Sequence, residues 1–339
     1  MNIKTSIVGT FLALSTAPAM ATTFSVAVND FNTDGVLDTA VMAMDYPNQS
    51  TTGVYFGDGT GNMTPGSSWF LGDENNLDIA AGDLNGDGIG DLAVASGNGI
   101  FVYHGDVSGG FTTGATLNAN AKQVYVGDFN RDGLLDIIQY YASIDVPASV
   151  SVFFGYGDGG FSDSVKVIEA VDGGQMMALD VNGDGMLDVM FYSQGSVTAA
   201  FGDGAGGFTV QPAGVLGRVA EGGATSMTGG DFNGDGIADI AVNSDGARII
   251  FFAGSGTGGF TQYASVFGSS QPDSVSDPIV AGDVNADGMQ DLIVVDSATG
   301  AVSAVLGYGD GVFLESAATT GWDSCQNMVD QDYAIFCGF

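Results

Sequence analysis

A nine-residue pattern, Asp-x-Asn-x-Asp-Gly-x-x-Asp, occurs six times in the 339-residue chain and limits its possible folds more than any other feature. The copies begin at Asp30, Asp83, Asp128, Asp180, Asp231 and Asp283, 45 to 53 residues apart. Such a period marks a repeat architecture, in which each unit buries its apolar face only against its neighbours. Short runs rich in Val and Ile flank the loops, such as KQVYV before the third and DLAVAS after the second. These runs read as buried strands, so each acidic loop is expected to be the turn of a β-hairpin.

A second signature starts 20 to 25 residues after the first aspartate of each copy. It reads YFGDGTG from Tyr55, YHGDVSGGF from Tyr103, FFGYGDGGF from Phe153, AFGDGAGGF from Ala200, FFAGSGTGGF from Phe251 and VLGYGDGVF from Val305. Each is a strand, a glycine-rich turn and another strand, which makes four strands per repeat. Gly254, Gly256 and Gly259 have a GxGxxG spacing, but no helix pattern follows that could present its N-terminus to a phosphate.

The spacing of the acidic loop is that of a hard cation. Positions 1, 3 and 5 of a tight loop aim oxygens at one centre, glycine at 6 permits the turn, and the carbonyl of position 7 adds a ligand. Position 9 is expected to add a further carboxylate. The candidate ligands are thus Asp30, Asn32, Asp34, Val36 and Asp38 in the first loop, and Asp83, Asn85, Asp87, Ile89 and Asp91 in the second. The third and fourth offer Asp128, Asn130, Asp132, Leu134 and Asp136, then Asp180, Asn182, Asp184, Met186 and Asp188. The last two offer Asp231, Asn233, Asp235, Ile237 and Asp239, then Asp283, Asn285, Asp287, Met289 and Asp291. Calcium suits such a set better than magnesium, which keeps its waters in a smaller octahedral shell. An EF-hand would need Glu at position 12, which here is Val41, Val94, Gln139, Phe191, Val242 or Val294. Arg131 places a cation inside the third loop, so that site is expected to be the weakest.

The chain carries 40 Asp+Glu against 6 Lys+Arg, a formal charge of −34. So few cations cannot neutralise a row of phosphates, which argues against nucleic acid and anionic membranes as partners. Disorder does not explain the acidity, because 45% of residues are hydrophobic and disordered acidic chains are poor in such residues. The single histidine, His104, stands where other repeats have Phe or Leu, so a packing role is expected and no catalytic residue is assigned.

Together, the DxNxDGxxD loop and the aromatic-Gly, GDGxGGF segment resemble the FG-GAP/VCBS repeat of secreted bacterial propellers and of the integrin α-chain head. The resemblance runs from Phe24 to Thr319 and implies an all-β propeller of four-stranded blades, with calcium in the hairpin between the first and second strands of each. Six blades are expected, with up to six Ca2+. Residues 1–21 have the order of a secretory signal: Lys4, an apolar stretch from Ile7 to Leu14, then Ala19-Met20-Ala21. A propeller over 22–319 and a tail over 320–339 follow. In an exported protein, secreted or periplasmic, Cys325 and Cys337 of that tail are expected to pair as a disulfide.

The expected function is a non-catalytic binding or adhesion module for an extracellular glycan or protein. The alternative is a calcium-dependent polysaccharide lyase or hydrolase, which the scarcity of cations disfavours. Tyr46, Tyr140 and Tyr141, near irregular stretches, are candidate rings for stacking on a sugar; Trp69, Tyr192 and Trp322 lie in similar places. The acidic and glycine-rich turns are expected on one face, and the irregular stretches mainly on the other.

Overall fold

The computed structural model describes residues 23–45, 49–70, 76–143, 148–169, 175–193, 196–211, 224–244, 248–267, 278–295 and 302–315. The signal segment, Tyr46, Trp322 and both cysteines lie outside them, as do most of the irregular stretches. The described residues form six antiparallel four-stranded sheets, each built from consecutive strands. Blade one is β1 (Thr23–Asn29), β2 (Asp38–Asp45), β3 (Gln49–Gly57) and β4 (Met63–Phe70). Blade two is β5 (Asn76–Gly82), β6 (Asp91–Ser96), β7 (Gly99–Gly105) and β8 (Phe111–Leu117). Blade three is β9 (Gln123–Gly127), β10 (Asp136–Tyr141), β11 (Ser149–Phe153) and β12 (Val165–Glu169). Blade four is β13 (Gln175–Leu179), β14 (Asp188–Ser193), β15 (Ser196–Gly202) and β16 (Phe208–Val210). Blade five is β17 (Ala224–Gly230), β18 (Asp239–Ser244), β19 (Arg248–Gly254) and β20 (Phe260–Phe267). Blade six is β21 (Ile279–Gly282), β22 (Asp291–Val295), β23 (Val302–Gly307) and β24 (Phe313–Glu315).

The second strand of a blade is sandwiched between two neighbouring blades, so it is apolar on both faces rather than alternating. Every residue of β6 (DLAVAS) and β22 (DLIVV) is buried. The outermost strands face water on one side, and β8 and β12 show mixed exposure. Six hydrophobic clusters fill the six interfaces between blades. One joins Phe31, Met42 and Val54 of blade one to Ile79 and Leu92 of blade two. Another joins Val284, Ile293 and Val302 of blade six to Val41, Tyr55 and Met63 of blade one. The ring therefore closes by side-chain packing, which leaves the sheets no long exposed faces.

The first strands of all six blades surround a central channel of about 680 Å3. Their free edges are stitched by side chains of the preceding blade. Ser25 Oγ accepts from Ile79 N (3.1 Å) and donates to Asp78 Oδ1 (2.6 Å), while Asp78 Oδ2 accepts from Val124 N (3.0 Å). Ser226 and Thr228 accept in the same way from Ile279 N and Ala281 N, at 3.1 and 3.0 Å. These bonds satisfy edge amides that would otherwise lie unpaired in a narrow channel. Burial pushes the Asp78 carboxyl up to about 6.

Candidate functional site

Each acidic loop joins the first two strands of its blade. Position 9 is the first residue of the second strand and pairs with the residue before position 1, as in Asn29↔Asp38 and Gly127↔Asp136. Within the loop, the carboxylate of position 1 accepts from the amides of positions 5 and 6. For Asp128 these are Asp132 N at 3.1 Å and Gly133 N at 2.9 Å. The position 3 amide oxygen accepts from position 5 N, at 2.9 Å in all six copies. The position 5 carboxylate accepts from position 7 N, at 2.8 Å for Asp132 to Leu134. The backbone turn thus folds around its own acidic side chains. Position 6 is left-handed in every copy, φ 78 to 86°, which glycine adopts without strain. Position 4 is left-handed too, and Thr33, Arg131 and Ala286 hold φ of 61, 60 and 56° there. Arg131 is exposed, and its Cδ lies close over Gly204 in the glycine-rich turn of the next blade.

Position 9 has a task that the sequence reading did not assign. Asp38, Asp91, Asp136, Asp188, Asp239 and Asp291 are all fully buried. One oxygen of each accepts from the amide of position 2, at 2.9–3.1 Å. The other accepts from the glycine of the aromatic-Gly signature, at 2.8–2.9 Å. One carboxylate therefore clamps both signatures of its blade together. That glycine cannot be anything larger, since a Cβ would stand 2.1–2.3 Å from the carbonyl oxygen of position 8 in every blade. Position 2 was also missed: Phe31, Leu84, Phe129, Val181, Phe232 and Val284 are buried plugs under their loops. Phe31, Phe129 and Phe232 meet the aromatic that ends the glycine-rich turn, Phe111, Phe208 and Phe313, edge-on at 5.7–6.1 Å. The DFN and GGF letters were visible in the sequence; their pairing across the blades was not.

Burial raises the position 9 carboxyls, and the aspartates of positions 1 and 5 add to the effect in most copies. Asp38, Asp136, Asp188 and Asp291 are pushed up to about 6; Asp91 and Asp239 are raised as well. In blade two His104 Nδ1 lies 3.4 Å from Asp91 Oδ2 and 3.3 Å from Asn85 Nδ2, so the histidine packs over the clamp.

The loops and the glycine-rich turns share one face. Gly159, Gly206, Gly258 and Gly311 of four turns donate to Leu84, Phe129, Val181 and Phe232 carbonyls in the loop of the preceding blade, at 3.0–3.3 Å. Each loop presents two aspartates and an asparagine oxygen there, and the position 7 carbonyl is the further ligand that the spacing offers. Among the described residues, no three His, Cys, Asp or Glu side chains gather as a metal-holding group. The donors available are all oxygen, the set a hard divalent cation takes, and the asparagine and carbonyl would have to complete it.

Tyr140 is not a stacking platform. It is 3% exposed and packs against Phe191, centroids 6.4 Å apart, between blades three and four, because β10 is buried on both faces. Tyr141, at the end of that strand, is half-buried.

The FG-GAP-like repeat model matches residues 30–94, 83–138, 180–242 and 231–294. The chain belongs to the FG-GAP-like repeat family. The matched spans of this FG-GAP-like protein open on the first, second, fourth and fifth acidic loops and close just after the second, third, fifth and sixth, so all six loops fall within them. No curated protein matches the chain. Solved structures share its fold. An Agrocybe aegerita lectin, described as recognising non-reducing terminal N-acetylglucosamine, aligns with TM-score 0.55 at 17% identity over 86% of this chain and 79% of the lectin. A variant of Aleuria aurantia lectin in complex with α-methyl-L-fucoside gives 0.55 at 14% over 89% and 98%. AofleA from Arthrobotrys oligospora gives 0.52 at 11% over 93% and 95%. Identities this low establish the fold alone.

Proposed function

We propose that this FG-GAP-like propeller is an exported, non-catalytic module that binds glycans, with calcium in its acidic loops. The observation that carries the reading is the sixfold equivalence of the acidic face. A catalytic centre gathers unlike groups at one point, whereas here the same clamp and the same oxygen set recur in every blade, as in a structural cation site. Positions 1, 3 and 5 and the position 7 carbonyl would hold the ion. The ion would supply positive charge against two neighbouring carboxylates and so lower their mutual repulsion. The glycan part of the reading is supported by the N-acetylglucosamine and α-methyl-L-fucoside of the two lectins that share the fold.

The lyase or hydrolase alternative gains no support from the channel. The one carboxylate among its described lining residues, Asp78, is engaged on both oxygens by Ser25 and Val124. A glycan array probed with and without calcium, beside a reducing-end assay on the same polysaccharides, separates the readings. The expected result is calcium-dependent retention with no new reducing ends. Release of reducing ends would transfer the protein to the enzymes.

A further inference from the structure

The pentapeptide Gly-Tyr-Gly-Asp-Gly occurs at 155–159 and 307–311. These are the glycine-rich turns of blades three and six, which stand opposite each other in a closed ring of six. In the other blades the residue after the signature glycine is polar and caps its own turn. Asp58, Asp106 and Asp203 accept at 2.8 Å from the amides of Thr60, Ser108 and Ala205, and Ser255 accepts from Gly259 N at 3.0 Å. Tyr156 and Tyr308 occupy this position and cannot cap. The task moves two residues on, to Asp158 and Asp310, which accept from Gly160 N at 3.0 Å and Val312 N at 3.1 Å. Both turns thus take their cap from a later residue and carry, where the other blades cap, a large aromatic that the fold does not bury, since Tyr156 is 61% and Tyr308 50% exposed. A residue that breaks a local rule with no packing gain marks a functional position.

The surroundings have the same twofold character. Leu134 and Met289 are exposed, whereas position 7 in the other four loops is half-buried. Leu134 lies against Gly157 and Met289 against Gly309, beside the two tyrosines. On its other side each turn abuts the acidic loop of the preceding blade, Gly159 bonding to Leu84 and Gly311 to Phe232. The turn that carries each tyrosine thus lies between two acidic loops, with an exposed aspartate two residues after the tyrosine that uses one oxygen on its own turn.

We propose that Tyr156 and Tyr308 are two equivalent platforms on which sugar rings of a neutral or amino-sugar glycan stack, with Asp158 and Asp310 accepting hydrogen bonds from its hydroxyls. An aromatic face matches the C–H face of a pyranose, and carboxylate oxygens match its hydroxyls. The charge of −34 selects against acidic polysaccharides. The proposal rests on the glycan reading above and adds the site, the number of sites and the ligand class.

The test is an array of neutral and amino-sugar oligosaccharides in calcium, followed by titration of the best-retained oligosaccharide into the wild type and variants. The expected wild-type stoichiometry is two sites per chain, falling to one in Tyr156→Ala or Tyr308→Ala. The double alanine variant is expected to bind at least about tenfold more weakly, and the double phenylalanine variant, which keeps the ring face, to retain binding. All variants should melt as the wild type does, because both positions are exposed turns. Unchanged binding by the double alanine variant, or loss in the phenylalanine variant equal to that in the alanine one, overturns the platforms and leaves the glycan reading standing. A wild type that binds no oligosaccharide on the array overturns both.

Discussion

Asp136→Ala is expected to destabilise the cation-free protein by about 4 kcal/mol, because it orphans two buried amide donors at roughly 1–3 kcal/mol each. The donors are Phe129 N and Gly155 N, at 3.0 and 2.9 Å. Water cannot replace the lost acceptor easily, since the site is fully buried under the Phe129 plug. The melting temperature in EDTA should fall by about 5–10 °C for that loss. Asp132→Ala, at the exposed position 5 of the same loop, should change it by less than about 2 °C, because its partners are exposed loop amides that can turn to water. Gly155→Ala attacks the same clamp from the other side: its Cβ would stand 2.1 Å from the Leu135 carbonyl oxygen, which is backbone and cannot move without opening the hairpin. It should be at least as damaging as Asp136→Ala. Equal melting temperatures for Asp136→Ala and Asp132→Ala would show that position 9 is not a clamp.

Without cations, the protein is expected to be more stable at pH 5 than at pH 7.5. Four position 9 aspartates have native carboxyls pushed up to about 6 from the ordinary 3.8, and two more are raised. The cause is burial first and the neighbouring loop carboxylates second. Below the unfolded value these groups are protonated in both states and make no difference. Between the unfolded value and about 6 the native state binds more protons, so stability falls as pH rises through that window. Above it the groups are ionised in both states and the full cost of burying the charge remains. Asp58, Asp106 and Asp203 are shifted the other way, held low mainly by hydrogen bonds from their turns. Their contribution is lost only below the ordinary value, outside the range compared. A melting temperature higher by about 5 °C or more at pH 5 in EDTA is the expected result; a lower one would mean that the clamps are not the groups that set the pH response.

The propeller was legible because its determinants are local and repeated. Six loops at a fixed period, each between two short apolar runs, leave few architectures that can bury every strand. The clamp was not legible, because Asp136 reaches Gly155, 19 residues away, only once three strands have paired. By sequence alone position 9 reads as one more oxygen beside positions 1 and 5. Tyr140 misled for a related reason: its neighbours in sequence suggest an irregular stretch, but the strand carrying it is sandwiched between blades. Tyr156 and Tyr308 were overlooked because glycine-rich turns read as connectors. Only the caps in the four other blades show that a tyrosine there forgoes a hydrogen bond.

The most direct measurement is the melting temperature at pH 7.5 in EDTA and in about 1 mM calcium. Sites with dissociation constants near ~0.1 mM would each add about 1.4 kcal/mol, on the order of 8 kcal/mol for six independent loops. The expected result is a rise of at least about 10 °C with calcium. Identical melting temperatures with EDTA and with calcium at pH 7.5 would contradict the cation role of the acidic face.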